Sequence, residues 1–419
     1  MSSAFTPDRA GALPGPAWLA DRRRAAAERF AGSELPSAEE EVWRYSRIGD
    51  LDLDRYRPPG PDDVGGAGDA GSRLAGLASG AAAVVRTVAG LPVQVDVAAG
   101  SPVQVRHGDQ LAETDRLGEA LGDLHGALAN LREAFGAPVV VHVPAGVDAG
   151  QVVIVHELGA DGVAAFPRVL VDVGQGASAS VVEIHCGTDA VSALSMPLTE
   201  LLVGRDARLR HSTVQLLGDA TWQIGRLASR VEQGGDLHAG AVALGGDYAR
   251  LRVDTAMAGR GSHGEITAAY FGDRDQLLDF RTFQDHIAPD TTSNLLFKGA
   301  LGERGASVYT GLIKIRPEAR GAQAFQTNRN LKLSDEAWAE SVPNLEIENN
   351  EVQCSHASTV GPVDPEQLFY LESRGVPTGR AERLIVRGFF DEVLTGLHLG
   401  PFEAVVTEAL ERKLERTLP

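Results

Sequence analysis

Between about Pro138 and Ser358 apolar and polar residues alternate. Segments such as VVVHVPAG, QVVIVHEL, PRVLVDVG, ASVVEIHC, LTELLVG and RLRHSTVQLL are short, rich in Val, Ile and Leu, and separated by Gly, Asp and Pro turns. Successive side chains of a strand point to opposite faces, so this pattern predicts an array of β-strands. Leu237, Leu251, Ile266 and Phe280 each open an apolar alternation, at separations of 14, 15 and 14 residues. A strand, a short turn and a return strand repeated at that pitch suit a solenoid of flattened coils around a narrow interior. The alternation puts Leu237, Ala239, Ala241 and Ala243 on one face, and Leu251, Val253, Thr255 and Met257 on another. Small inward side chains fit a thin interior. A β-sandwich or jelly roll, with turns about every 8 to 12 residues, is the competing fold.

The flanks carry a helical period. Ala17 to Phe30 is built of good helix formers and is followed by Gly32; Ser37 and Glu40 make a capping box ahead of EVWRYSRI. RPPGPDDVGGAGDAGS, from Arg57, has the composition of a mobile linker. Leu117, Leu121, Leu124, Leu128, Leu131 and Phe135 recur at steps of three, four and seven, which predicts one amphipathic helix. Past Thr359, Asp364 and Pro365 cap a helix that Gly375 ends; Thr378 opens a second and Pro401 a third, with an apolar stripe from Phe402 through Val406 and Leu410 to Leu414. The expected class is mainly β: a parallel β-helix core over 138–358, an N-terminal helical region with linker and short strands over 1–137, and a C-terminal helical domain over 359–419.

Composition narrows the partners. With 39 Lys and Arg against 57 Asp and Glu the net charge is -18, which repels phosphate backbones and anionic lipid, so neither nucleic acid nor a membrane surface is an expected partner. No stretch reaches the roughly 18 uncharged apolar residues of a membrane span, and the first residues lack a signal-peptide core, so a cytoplasmic protein is expected. Cys186 and Cys354 are too few and too far apart for a disulfide framework, and both are expected to be free thiols.

Enzyme signatures are scarce. The chain has no GxGxxG, no GxxxxGK[ST], no HExxH and no GxSxG. Asp273 with Asp275, and Glu346 with Glu348, stand two apart and would share a strand face, as a carbohydrate-active β-solenoid enzyme requires; a solvated sheet face gives the same pattern. Gln353-Cys354-Ser355-His356 ends the segment LEIENNEVQCSH. On a strand Cys354 and His356 share one side, presenting thiolate and imidazole, two donors that suit iron or zinc but do not complete a site. A buried apolar Cys and a structural His are the alternative. His142, His156, His185, His211 and His286 fall singly on separate strands, where a stacked ladder is open to them but structural roles are the default.

SNLLFKGALGERGASVYTGLIKI from Ser293, AFQTNRNLKLSD from Ala324, NLEIENNEVQCSHASTVGPVDPEQLFYLESRGV from Asn344 and, more weakly, EEVWRYSRI near the start resemble the SufB/SufD family of iron-sulfur cluster assembly proteins. The resemblance is strong over the C-terminal half and loose over the first 140 residues. It is closer to SufD: CSH stands where SufB-type sequences carry a valine-glutamate-histidine-glutamate run, and Ala337 stands where SufB has its cluster-related cysteine. Ala357 departs from the Gly of many relatives.

The resemblance implies a β-helix flanked by helical domains, and a non-enzymatic scaffold working with a SufB-type paralogue and a SufC-type ATPase. It implies no tightly bound cofactor; iron or a nascent cluster is held transiently at the paralogue interface, with His356 and then Cys354 as the candidate ligands. It places ATPase docking on the C-terminal helices, where Phe369, Arg374 and Phe389 are the candidate contacts. These helices are expected to be separable, so that a chain cut after Gly361 keeps a folded strand domain. A homodimer that replaces SufB is an alternative assembly.

Overall fold

The structure, a computed structural model, describes residues 4–65, 69–122 and 126–418. Strands dominate it, wound as a parallel β-solenoid of about 8 turns with helices at both chain ends. Each turn contributes one strand to each of two facing sheets. One sheet runs from Leu91–Val97 and Ala83–Val88 through Asp148–Leu158, Ser178–Gly187 and Arg208–Leu216 to Gln323–Lys332 and Gln353–Pro362. The other runs from Gln104–His107 and Ala137–Val143 to Ala306–Ile315 and Trp338–Ile347. Leu251 stands beside Phe280 and Ile266 beside Leu295, 29 residues on in each case, so the sequence pitch of 14 to 15 is half a coil.

The interior follows the alternation. Leu237, Ala239, Ala241, Ala243, Val253 and Met257 all lie in the lumen core, with Leu251 packed against it. Toward the end of the chain the lumen lining changes from aliphatic to amide and hydroxyl: Tyr270 Oη donates to Asn330 Oδ1 (2.7 Å), Asn328 Nδ2 donates to Tyr270 Oη (2.9 Å), and Thr282 and Tyr309 pair at 3.0 Å. Buried polar groups of this kind are stable only when paired; Tyr270, Asn328 and Asn330 form one connected network, and Thr282 with Tyr309 a separate pair.

The two ends of the solenoid differ. At one end both sheets finish on antiparallel strands, Leu91–Val97 and Gln104–His107. At the other they finish on the parallel, ten-residue strands Trp338–Ile347 and Gln353–Pro362, each paired along one side only. Long unpaired edges invite strand addition, and here they carry exposed Trp338, Ile347 and Val360.

Helices cover the two outer faces. Ala17–Ala31 and Ala127–Phe135 pack with Phe5, Phe166, Met196, Trp222 and Ile224 on one sheet. On the other sheet Val386, Phe390, Val393, Phe402, Val406 and Leu410 form a single core with Val153, Val155, Val182, Ile184, Val214 and Phe271. The C-terminal helices are therefore not separable: a cut after Gly361 would uncover that apolar face, at about 25 cal/mol for each Å² returned to water. Asp273 anchors the same joint, accepting from Lys413 Nζ (2.8 Å) and Arg416 Nε (2.9 Å).

Three further expectations change. The stretch from Arg57 is ordered where described: Pro61–Gly65 and Asp69–Gly76 are helical, and buried Asp63 accepts from Arg57 Nη1 (2.6 Å) and Nη2 (2.7 Å). The helix expected over 117–135 is confined to Ala127–Phe135, because Gly118, Gly122 and Gly126 adopt φ of 98°, 60° and 102°, values a right-handed helix excludes. Leu117 and Leu121 are buried in turns, and Leu124 lies outside the described residues. Half of the Ser37–Glu40 box forms: Ser37 N donates to Glu40 Oε1 (2.9 Å) while Ser37 Oγ accepts from Glu39 N (3.1 Å), and only a single 3-10 turn, Glu41–Trp43, follows. The chain leaves the helix there to lay Trp43 under the Arg250 guanidinium, 3.8 Å from the ring centre. The solenoid also exceeds its expected limits, taking in Ala83–Val88 and ending at Pro362.

Candidate functional site

The CSH residues open the final strand, Gln353–Pro362, and do not close the preceding one, which stops at Ile347; residues 348–352 turn between them. The shift leaves their shared side intact. Cys354 stands in register with Ala324 and His356 with Gln326, and both of those neighbours are buried on the lumen side. Cys354 packs against Ile313, Ile315, Ala319, Ala322 and Ala324. His356 is exposed, because no further coil lies on this strand. The result is a thiol and an imidazole facing the same way at an open solenoid mouth.

Burial raises the Cys354 thiol, and a hydrogen bond with the Ala324 backbone offsets this only in part. The protonated form therefore prevails until a metal or base draws the proton off. His356 is the readier donor of the pair. Below it, Gln326 is buried and neither its Oε1 nor its Nε2 has a hydrogen-bond partner among the described residues. Gly311 makes room for this amide: a Cβ there would stand 2.4 Å from Gln326 Nε2. The amide is the component that sequence reading missed; only strand register brings residues 326 and 356 together.

The helical candidates separate. Phe369, on the helix Pro365–Ser373, is 71% exposed, next to exposed Tyr370, whose ring lies 5.0 Å from the Arg374 guanidinium carbon. That helix buries none of its residues, and Asp364 caps it by accepting from Glu366 N (2.8 Å), as its sequence predicts. Phe389 is half-buried at the joint, its ring 4.7 Å from Lys298 Nζ, so its surface is largely used within the chain. Ala337 is buried.

The carboxylate pairs are mostly tied to cations. Asp273 and Asp275 lie in a turn, not on a strand; the first is bound to Lys413 and Arg416 and the second to Arg304 (2.6 Å). Glu346 pairs with Lys314 at 2.6 Å, and Glu348 falls beyond its strand. Every member of these pairs except Glu348 is held by a cation. Both cysteines are free; Cys186 is buried, which pushes its thiol up to about 12.

Among the lone histidines, His142 pairs with Asp172 (2.9 Å), and His286 with Thr291 (2.7 Å) and Ser293 (2.8 Å). His156, His185 and His211 converge inside the lumen on Glu183. No helix among the described residues is long and apolar enough to cross a membrane.

The chain is thus a parallel β-solenoid with a thiol-imidazole pair at one mouth and a helical cap. Residues 156–389 match the family model described as "SUF system FeS cluster assembly, SufBD core domain". An iron-sulfur cluster assembly SufBD family protein of Mycobacterium tuberculosis is 33% identical over 92% of this chain and 90% of its own length. A SufBD family protein of Mycobacterium leprae is 38% identical over 52% of the chain and 50% of its own length. The iron-sulfur cluster assembly protein SufD of Bacillus subtilis is 30% identical over 70% of the chain and 66% of its own length. The chain belongs to the SufBD family of iron-sulfur cluster assembly proteins and is SufD-like.

Proposed function

We propose that this chain is the SufD-type scaffold subunit of a complex with a SufB-type paralogue and a SufC-type ATPase, and that clusters form where its open mouth meets the paralogue. The observation that carries the reading is the exposure of His356 on the lumen side of a strand with no neighbour beyond it. Imidazole and thiolate are ligands for iron and for iron-sulfur clusters. Two donors on one chain make an incomplete site, which suits cargo that must be built and then released.

The partner supplies the rest. A strand laid along Gln353–Pro362 or Trp338–Ile347 would satisfy their free backbone groups and cover Trp338, Ile347 and Val360. The mode leaves specificity to the side chains that meet across the seam. ATP turnover belongs to the other partner, which docks on the helix that presents Phe369 and Tyr370, with Arg374 beside them.

Co-assembly tests this reading. Mixed with the paralogue and the ATPase, the chain is expected to give one three-protein species by native mass measurement. Ser358→Pro with Val360→Lys, which blocks the outer strand edge, is expected to release the paralogue and keep the ATPase. A chain that pairs only with itself, or stays alone, contradicts the proposal.

A further inference from the structure

Within the lumen, toward the end that carries the antiparallel strands, three imidazoles surround one carboxylate. His156 Nε2 lies 3.0 Å from Glu183 Oε1, His185 Nε2 3.5 Å from the same oxygen, and His211 Nε2 3.1 Å from Oε2. The residues come from three consecutive strands of one sheet, Asp148–Leu158, Ser178–Gly187 and Arg208–Leu216. Register stacks His156 on His185, with ring centres 4.7 Å apart, and sets Thr213 beside Glu183, so His211 comes from the same face one pleat away. All four side chains are 4% exposed or less.

Two features of the cluster are unexplained by packing. Glu183 is a buried carboxylate whose ion-pair partners among the described residues are histidines alone, with no Lys or Arg. An isolated buried anion is costly. Second, Nδ1 of both His185 and His211 is buried without a hydrogen-bond partner. Hydrogen bonds to the three imidazoles hold the Glu183 carboxyl well below the usual range against the opposing effect of burial, and burial keeps His185 below its ordinary value.

The spacing matches a cation. Zinc-like ions hold N and O donors at about 2.0 to 2.1 Å, which puts tetrahedral donors about 3.3 Å from one another; the contacts of His156 Nε2 (3.0 Å) and His185 Nε2 (3.5 Å) with Glu183 Oε1 bracket that edge length. Donors from His156, Glu183 and His185 all lie within 4.8 Å of one another. Outer contacts orient the set as metal sites require: Thr87 Oγ1 holds His156 Nδ1 at 2.8 Å, and Thr199 Oγ1 donates to Glu183 Oε2 at 2.9 Å. His185 also borders a lumen cavity of about 30 Å³, room for a water.

We propose that Glu183, His156 and His185 form an interior site for one divalent transition-metal ion of the class that imidazole and carboxylate bind, such as zinc, cobalt(II) or ferrous iron, with His211 holding the other carboxylate oxygen. The ion compensates the buried carboxylate and clamps two successive coils. It is distinct from cargo at the open mouth, on which it does not depend. Because the site is sealed, the ion is taken up as the chain folds.

The test is refolding of the full chain from denaturant with cobalt(II) alone, followed by passage over a chelating resin. About one cobalt per chain is expected to remain, with visible bands of a four-coordinate N/O site and a raised unfolding midpoint. Cys354→Ser with His356→Ala should retain the metal, whereas Glu183→Gln, and separately His156→Gln with His185→Gln, should reduce it at least tenfold. Natively folded wild-type chain that keeps no cobalt overturns the proposal without reference to any variant. So does equal retention by the folded Glu183→Gln or double-histidine chain.

Discussion

Gln326 and His356 are direct neighbours across the last two strands of one sheet, and the first is buried with an unpaired amide while the second is exposed. An amide kept dry with neither atom bonded costs about 1 to 3 kcal/mol. It lies one rung inside the mouth that presents His356.

Gln326→Leu should therefore leave the chain equally stable, or more stable by about 1 kcal/mol, since it deletes unsatisfied atoms and keeps the volume. Cluster yield in the reconstituted complex should nonetheless fall. Urea unfolding and acid-labile sulfide measured on the same preparation separate the two effects; lowered stability with unchanged yield would reduce Gln326 to a packing residue.

The helical cap hangs on Asp273. Asp273→Ala strands Lys413 against the solenoid without its partner, and breaking a buried pair in this way costs about 3 kcal/mol. The expected result is a lower urea midpoint and faster proteolysis within residues 365–418. An unchanged midpoint would show that the apolar joint alone holds the helices.

Acid should loosen the solenoid through His286. Burial lowers its folded pKa to about 4, an effect that nearby Asp285 only partly opposes, whereas in the unfolded chain it titrates near 6.5. The unfolded state then takes up a proton before the folded state does. The stabilisation is complete above about pH 6.5 and is lost as pH falls toward 4, by up to roughly 3 kcal/mol. His286→Gln should flatten the dependence of the unfolding midpoint on pH between about 7 and 4; an unaltered profile would place the acid sensitivity elsewhere.

Phe369 offers the cleanest docking test. It is exposed and makes no part of the folded core, so Phe369→Glu should leave the unfolding midpoint within about 0.5 kcal/mol of wild type. Affinity for the ATPase should drop by at least about tenfold, as for a central aromatic contact. Undiminished binding would move the docking surface off the helix Pro365–Ser373.

Much of this was legible in residue order. Alternation located the strands, and the phase of Cys354 and His356 survived even though the strand boundary was misplaced, because a period of two fixes the shared face wherever the strand begins. Asp364 and Pro365 announced their helix by local chemistry alone. Where the reading failed, the deciding interaction was distant. Arg57 with Asp63 and the packing of Gly71 against Glu157 order a stretch whose composition is that of a linker. The leucine stripe from Leu117 was real as burial but not as helix, because glycines at positive φ interrupt it. His156, Glu183, His185 and His211 could be joined only once register was known.

The role proposed for His356 is to contribute to cluster formation from an open, shared site. The most direct measurement is iron and acid-labile sulfide per complex, assembled anaerobically with the paralogue and the ATPase, for wild type and His356→Ala. The account predicts an intact three-protein complex whose cluster content falls by at least about tenfold, the scale on which loss of a metal-site group acts. Wild-type cluster content in an intact His356→Ala complex would contradict it.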